Sequence, residues 1–423
     1  MKRVATILLL VSLGLMPAYA LEVDSDGYGS IFDGLTELFG IDSNAGLTAF
    51  PVLNIPIGGR SEGMAGSFAA VSDDISFLDW NPAGSATLEK QELAFFHNNW
   101  IADTKVEGAA FASRLRDLGF AAGGKWLYTP FTQYDLYGER VSKGYYSEAV
   151  GILNISYNFF SGYYFRGLSL GANLKGAYRF VPDYADNAGL MLSGSGMNQS
   201  TGIIMGDIGA LTRFNFLKPY YSRDTNASAA FVVRNLGPPA MDDPLPTVAT
   251  IAIAYKPIRP LLISVDLSAP LNLQEAGLSE SPYGSVGVAA EISSFLSMRA
   301  GFLAKAGGVR LALGSAILLD RVALDINYTL DLMTQFTPLN RISLGVRFNL
   351  GDQGRRALSD QVDDLYLAGL QAYAEGNYIA AQSLWEEALR LNPRFDPARE
   401  NLHYLTRSQA VERRISEIEQ LNF

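Results

Sequence analysis

The chain has no cysteine and only two histidines, His97 and His403. Without cysteine there is no disulfide to hold an exported fold, no thiol nucleophile and no thiolate metal site. The histidines fall in different predicted domains, and neither shows a metal-ligand spacing. A Ser-His-Asp hydrolase would have to use His97, and no serine motif of the nucleophile-elbow kind accompanies it. The glycine-rich stretches lack the Gly-Lys-Ser ending of a phosphate loop. Carboxylate pairs such as Asp242-Asp243 and Asp363-Asp364 read as solvated loop or helix-start residues. No catalytic residue, metal or cofactor is expected, and the chain reads as a non-enzyme.

Positive charge is also short. Lysine and arginine number 33 against 43 aspartates and glutamates, a net charge of -10. A sequence-independent nucleic-acid binder needs a basic surface, so that class is excluded. Long apolar runs are missing after residue 20. Nothing approaches the roughly 20 residues that a membrane-crossing helix needs. The chain is then either soluble or crosses a membrane as strands.

What is present begins with an export signal. Lys2 and Arg3 form a positive start, Ile7 to Met16 an apolar stretch, and Ala18-Tyr19-Ala20 a small-x-small cleavage site. Residues 1–20 are expected to be removed. Leu21 follows rather than cysteine, which argues against a lipoprotein. In the leader that comes next, Ser30 can cap a short helix that Gly40 stops. The chain also has 41 glycines, 21 tyrosines and 23 phenylalanines. Exported, glycine-rich, aromatic-rich and cysteine-free is the composition of an outer-membrane barrel.

The stretch 89–350 carries a period of two. Ile342, Leu344, Val346, Phe348 and Leu350 alternate with Arg341, Ser343, Gly345, Arg347 and Asn349. Val322, Leu324, Ile326, Tyr328 and Leu330 alternate with Ala323, Asp325, Asn327 and Thr329. Leu168, Leu170, Leu174, Tyr178 and Phe180 do so with Ser169, Asn173, Lys175 and Arg179. One face of each strand is apolar and the other polar or small. About 14 such segments follow one another, each near the length of a tilted membrane strand. They begin near Gln91, Lys105, Leu118, Ser147, Gly167, Gly202, Ala227, Pro246, Leu261, Tyr283, Leu296, Gly308, Arg321 and Leu339. An even number suits a closed bacterial barrel.

Connection lengths test this. Tyr128 to Tyr146, Val181 to Thr201 and Ala269 to Pro282 are long and fall on one side. Ser113 to Asp117, Lys256 to Pro260, Ile292 to Phe295 and Ile317 to Asp320 are tight and fall on the other. Asn98 to Asp103 and Asn215 to Asn226 break the rule. A soluble β-sandwich also alternates. About 14 strands would instead enclose a wide lumen, which the repeated Arg, Asp, Asn and Lys on one face would line. The expected class is therefore an all-β transmembrane barrel.

Residues 351–423 change to a helical period and contain no lysine. Gly369, Tyr373, Gly376, Tyr378, Ala381, Trp385, Ala388 and Pro393 stand at a helix-turn-helix spacing, with Leu365 on the same face. Gly376-Asn377 makes the turn and Pro393 closes the second helix. A third helix follows from Asp396. This resembles one tetratricopeptide repeat, with Tyr373 one place from the usual aromatic. The module reads either as a cap on the barrel mouth or as a partner-binding module.

Residues 58–84 read GGRSEGMAGSFAAVSDDISFLDWNPAG. Gly59-Arg60, the small-residue run containing Gly63 and Gly66, the pair Asp73-Asp74, and Asn81-Pro82-Ala83 resemble the N-terminal signature of FadL-like fatty-acid transporters and PorV-like outer-membrane proteins. The resemblance covers about 30 residues and implies a 14-stranded barrel plugged by a hatch within residues 21–88. Asp73 and Asp74 read as partners of luminal arginines, as helix caps or as a solvated turn. With the C-terminal repeat, the architecture most resembles the FadL-like proteins of spirochaetes. Ser343, Gly345, Phe348 and Leu350 look like the terminal-strand signal read by the barrel assembly machinery.

The resemblance implies uptake of a hydrophobic small molecule, such as a long-chain fatty acid, across the outer membrane. The PorV-like alternative is a scaffold for secretion or surface attachment. There the C-terminal module recruits a periplasmic protein. The expected partners are outer-membrane lipid, the ligand, the assembly machinery and such a protein. Trp126, Tyr128, Phe131, Tyr134 and Tyr137 read either as the start of the ligand route or as an interfacial girdle.

Overall fold

The computed structural model describes residues 42–101, 103–134, 137–182, 200–332 and 339–421, together with 34, 37, 40, 184–185 and 191–192. The expected export signal lies outside the described residues, as does most of the helix expected after Ser30.

Alternation dictates the architecture. The strands are β1 (Glu92–Asn99), β2 (Lys105–Leu115), β3 (Leu118–Tyr134), β4 (Arg140–Phe159), β5 (Leu168–Phe180), β6 (Tyr184–Ala185), β7 (Met191–Leu192) and β8 (Thr201–Phe214). They continue as β9 (Ala227–Leu236), β10 (Thr247–Ile258), β11 (Leu261–Leu271), β12 (Tyr283–Ser293), β13 (Leu296–Lys305), β14 (Gly308–Leu318), β15 (Val322–Asp331) and β16 (Leu339–Asn349). All but β6 and β7 join one closed antiparallel barrel of 14 strands. The short pair β6–β7 forms a separate hairpin. Closure comes from β1 on β16, in register from Glu92 opposite Asn349 to Asn99 opposite Ile342. Since the strand count is even, the chain enters and leaves at the same end. We call this the terminal rim and the opposite end the distal rim.

Side-chain direction decides between a barrel in lipid and one in water. On β16, Ile342, Leu344 and Phe348 are exposed on the outside, while Arg341, Ser343 and Arg347 are buried inside. On β15, Leu324 and Ile326 face out and Asp325, Asn327 and Thr329 face in. On β5, Leu170, Leu174, Tyr178 and Phe180 face out, against Ser169, Asn173 and Lys175. A soluble barrel has the reverse arrangement, so the soluble alternative fails. An apolar outside around a charged inside is the surface of a lipid-embedded barrel. Among the described residues, no helix is long and apolar enough to cross a membrane.

The main departure from expectation is at the distal rim. β4 begins at Arg140, not near Ser147, and β3 runs on to Tyr134. The stretch Tyr128 to Tyr146, read as a long loop, is largely a continued ladder in register from Tyr128–Ser147 to Gln133–Ser142. β-Formers such as Thr129, Phe131 and Tyr145 favour extension, and pairing satisfies backbone groups that a loop would leave to water. The long connection at the terminal rim, Asn215 to Asn226, is fastened by Asn226. Its Nδ2 donates to the Phe216 carbonyl at 2.7 Å and its Oδ1 accepts from the Phe216 N–H at 2.8 Å.

Before the barrel, the chain forms a short helical turn α1 (Arg60–Gly63). After it come α2 (Arg355–Ala374), α3 (Tyr378–Leu391) and α4 (Asp396–Leu421). Gly376 turns the chain in the left-handed region at φ 81°, and the Asn377 side chain caps α3 by accepting from the Ala380 N–H. Trp385 fills the centre of this helical group with Val362, Ala381, Ala388, Phe395, Ala398 and Leu405. A Cβ at Gly369 would lie 2.3 Å from the Trp385 indole nitrogen, so only glycine lets α2 approach.

Replacing Trp385 with alanine removes the largest side chain of this small core. We expect a loss of about 3–5 kcal/mol, more than so small a helical group can spare. The helical circular-dichroism signal falls while the barrel keeps its heat-dependent shift in gel migration. Retained helical signal would refute this. The helices sit on the terminal rim. Arg394 pairs with Asp117 at 2.6 Å, Arg223 pairs with Asp363, and Tyr163 packs edge-on against Phe395 with centroids 5.2 Å apart.

Candidate functional site

The lumen is filled by the chain that precedes β1. Residues 50–88 wind through it as α1 and three 3₁₀ turns, Pro51–Asn54, Ile75–Asp79 and Pro82–Thr87. Phe50, Phe68, Ile75, Phe77 and Leu78 are fully buried there. Irregular backbone in a closed space needs partners for its polar groups, and the wall supplies them. Asp266 accepts from the Phe68 and Ala69 N–H groups at 3.1 and 2.9 Å and from the Ser67 hydroxyl at 3.1 Å. Asn154 donates to the Pro82 carbonyl at 2.9 Å, Asn173 to Leu78 at 3.1 Å, and Asn327 to Gly59 at 3.0 Å. Glu148 accepts from the Val52 N–H at 3.0 Å.

Wall glycines permit this closeness. A Cβ at Gly119 would lie 2.2 Å from the Ser85 backbone, at Gly171 2.3 Å from that of Pro82, and at Gly301 2.2 Å from that of Met64. Backbone meets backbone at these places, which no larger residue allows.

Several of the charges inside the wall are paired. Arg299 donates to Asp325 at 2.6 Å and Arg347 to the same carboxylate at 2.9 Å. Arg347 also reaches Asp74 of the luminal segment at 2.9 Å. Lys175 pairs with Asp207 at 2.7 Å, and Lys125 with Asp79 at 3.2 Å. Arg60 meets Asp73 at 2.6 Å. Burial pushes the Asp73 carboxyl up, but Arg60, Lys256 and Arg213 outweigh it and hold it below the usual carboxylate range.

Two cavities flank the filling. One, of about 280 Å³ towards the distal rim, has a mixed lining: Leu53, Leu245 and Val248 with Trp80, and charged side chains that include Arg234 and Arg341. Arg234 stacks on Trp80 with 4.8 Å between guanidinium carbon and ring centroid. The other, about 860 Å³, lies between the terminal rim and the helices.

A family model described as "Uncharacterised protein family (UPF0164)" matches residues 41–353, which take in the luminal segment and the whole barrel. The chain belongs to this family. A UPF0164 protein of Treponema pallidum (strain Nichols) is 29% identical over 430 residues, covering 97% of this chain and 92% of the relative. A second from the same organism is 26% identical and covers 84% of this chain and 75% of its own. Among solved structures, the TodX monoaromatic hydrocarbon channel deltaS2 mutant aligns with a TM-score of 0.42 at 11% identity, covering 69% of this chain and 100% of that one. The KdgM porin aligns with a TM-score of 0.30 at 8% identity, over 61% and 99%.

Within the UPF0164 barrel, the residues of the 58–84 motif are gathered in the lumen. Gly59 and Gly66 hold φ of 79° and 81°, and a Cβ at Gly66 would strike the Trp80 ring at 2.4 Å. Gly63 abuts Gly314 of the wall. Asp74 combines two of the roles considered for it. It accepts from the Ser76 N–H as a helix cap and pairs with a wall arginine. It is buried and not a solvated turn. The Asn81 amide donates to the Ala69 carbonyl at 2.9 Å and accepts from the Ala83 N–H at 3.0 Å, fixing the turn at Pro82.

Other residues stand apart. Ser343 and Gly345 face inward on β16, and Phe348 and Leu350 are exposed. Trp126, Tyr128 and Tyr145 form an aromatic group, with Trp126 and Tyr145 exposed and Trp126–Tyr128 centroids 4.7 Å apart. That is the place of an interfacial girdle, while the neighbouring Lys125 and Leu127 are buried. His97 pairs with Glu107 at 2.8 Å, and among the described residues no group of three metal-ligating side chains converges.

Sequence reasoning missed Asp79 and Trp80 within the motif, and the charged wall positions Lys125, Asp207 and Arg299. The inward phase of the strands marks these three, because each follows or precedes an outward apolar residue, Trp126, Ile208 and Met298.

Proposed function

We propose that this UPF0164 member is a FadL-like outer-membrane transporter. The lipid-facing barrel admits a hydrophobic small molecule, with a long-chain fatty acid as the proposed ligand. The luminal segment acts as its hatch. The observation that carries this is the distal cavity. It sets apolar side chains beside several cationic ones, Arg234 stacked on Trp80 with Lys125, Arg310 and Arg341 on the same lining, and it abuts the luminal segment rather than the wall alone. An amphiphile with an acidic head matches such a lining, and about 280 Å³ is near the small end of roughly 300–1,000 Å³ for ligand pockets. On this reading the terminal rim faces the periplasm, and the helices hang there as a tetratricopeptide-like module. β16 is then the strand read by the assembly machinery.

Proteoliposomes and labelled fatty acid test this. Leu245 lies in the connection between β9 and β10 and lines the cavity. Leu245→Trp fills that space, and uptake should fall by about fivefold or more, the loss that ~1–3 kcal/mol of weaker ligand binding produces. No uptake by the unaltered protein would defeat the transporter reading.

One observation favours the second, PorV-like reading of a scaffold. Leu358, Leu367, Leu370 and Ile379 are exposed on the helices away from their core. A periplasmic protein that co-purifies only while residues 351–423 are present would support it.

A further inference from the structure

We infer that the chamber between the terminal rim and the helices binds an oxyanion, a carboxylate or a phosphate, held by Arg114, Arg213 and Lys256. This site is separate from the distal cavity and stands whether or not the distal cavity takes a lipid.

The chamber has a volume of about 860 Å³ and is walled by strand ends, by Val71–Asp74 of the luminal segment and by α2. Several of the charges around it are in ion pairs. Arg60 is held by Asp73, Arg347 by Asp74, Arg394 by Asp117, and Arg223 by Asp363. Arg114, Arg213 and Lys256 line the same space and form no ion pair among the described residues. Arg114 gives one N–H to the Ala86 carbonyl at 3.3 Å, and its Nε is buried with no partner. Arg213 gives only long bonds of 3.3 Å to the Val71 and Ser72 carbonyls.

Two guanidiniums and an ammonium, half buried, thus face a polar chamber with no carboxylate in ion-pair contact; Glu89 of the same lining acts on both guanidiniums only from farther away. Asp73 lies near Arg213 and Lys256, but its closest bond is already with Arg60. Buried donors want acceptors, and a guanidinium fork matches a carboxylate or phosphate edge. An oxyanion supplies both the charge and the missing acceptor.

The test uses the full chain in a non-ionic detergent, titrated calorimetrically with hexanoate, hexyl phosphate, inorganic phosphate and neutral hexanol. At least one oxyanion should bind and hexanol should not. In R114Q/R213Q the affinity should fall about tenfold or more, since each charge-assisted bond lost weakens binding by about that factor. K256Q, at a half-buried site without an ion pair, should show a several-fold loss and guards against misfolding of the double variant. Preference for the hexyl compounds assigns an amphiphile's head. Equal or stronger binding of inorganic phosphate assigns a free oxyanion. Unchanged affinity in both variants, hexanol binding as well as hexanoate, or no binding of any probe would overturn the site. The readout needs no transport, so a failed uptake assay leaves it standing.

Discussion

Asp325→Ala is expected to destabilise the barrel by about 3–5 kcal/mol, the usual cost of breaking a buried ion pair by removing one partner. Asp325 stands between Arg299 and Arg347 at 2.6 and 2.9 Å, fully enclosed by the wall and the luminal segment. Alanine would leave two guanidiniums close together with one carboxylate withdrawn. Asp74 still reaches Arg347, whereas Arg299 keeps only the Ser297 hydroxyl at 3.2 Å. Water cannot easily repair this, because Arg299 is buried. Denaturant unfolding in detergent, followed by tryptophan fluorescence, reads the effect. A midpoint unmoved from that of the unaltered protein would show that these charges are hydrated after all. Asp325→Asn should fall between the two, since it keeps an acceptor and loses the charge.

The second large effect concerns the filling itself. Removing residues 57–88 should turn a barrel of low ionic conductance into one with steady, porin-like current steps. A 14-stranded cylinder is wide, and in this protein its width is taken up by a segment that presents Phe68, Ile75, Phe77 and Leu78 to its own interior. Without it, Lys125, Lys175, Asp207 and Asp266 would face a continuous column of water. Planar-bilayer recording compares the two proteins. Equal conductance would mean that ions already pass around the segment, and the lumen would then not be closed by it.

The wall was legible in the sequence because its periodicity is local. Most expected strand starts lie within a residue of the observed ones, as at Lys105, Leu118, Ala227, Leu261 and Tyr283. The exception, β4, begins seven residues early because aromatic and β-branched residues beyond the bilayer continue a ladder that hydropathy alone does not mark. The interior was less legible. The motif around Asn81 and Pro82 stood out by composition. Its partners Ala69 and Ala210 carry no sign of that role, because backbone carbonyls have no sequence signature. Asp266 was recognisable as an inward residue. That it receives two N–H groups from residues almost 200 positions earlier was not, since such pairing is set by closure of the whole cylinder.

The meeting of bare backbones at Gly119, Gly171 and Gly301 has an evolutionary consequence. A larger residue at any of these positions does not merely loosen a contact; it evicts a stretch of chain. The cylinder and its contents can therefore diverge only together. A descendant that discards the contents is released from keeping those glycines, and its strands are free to acquire larger side chains there.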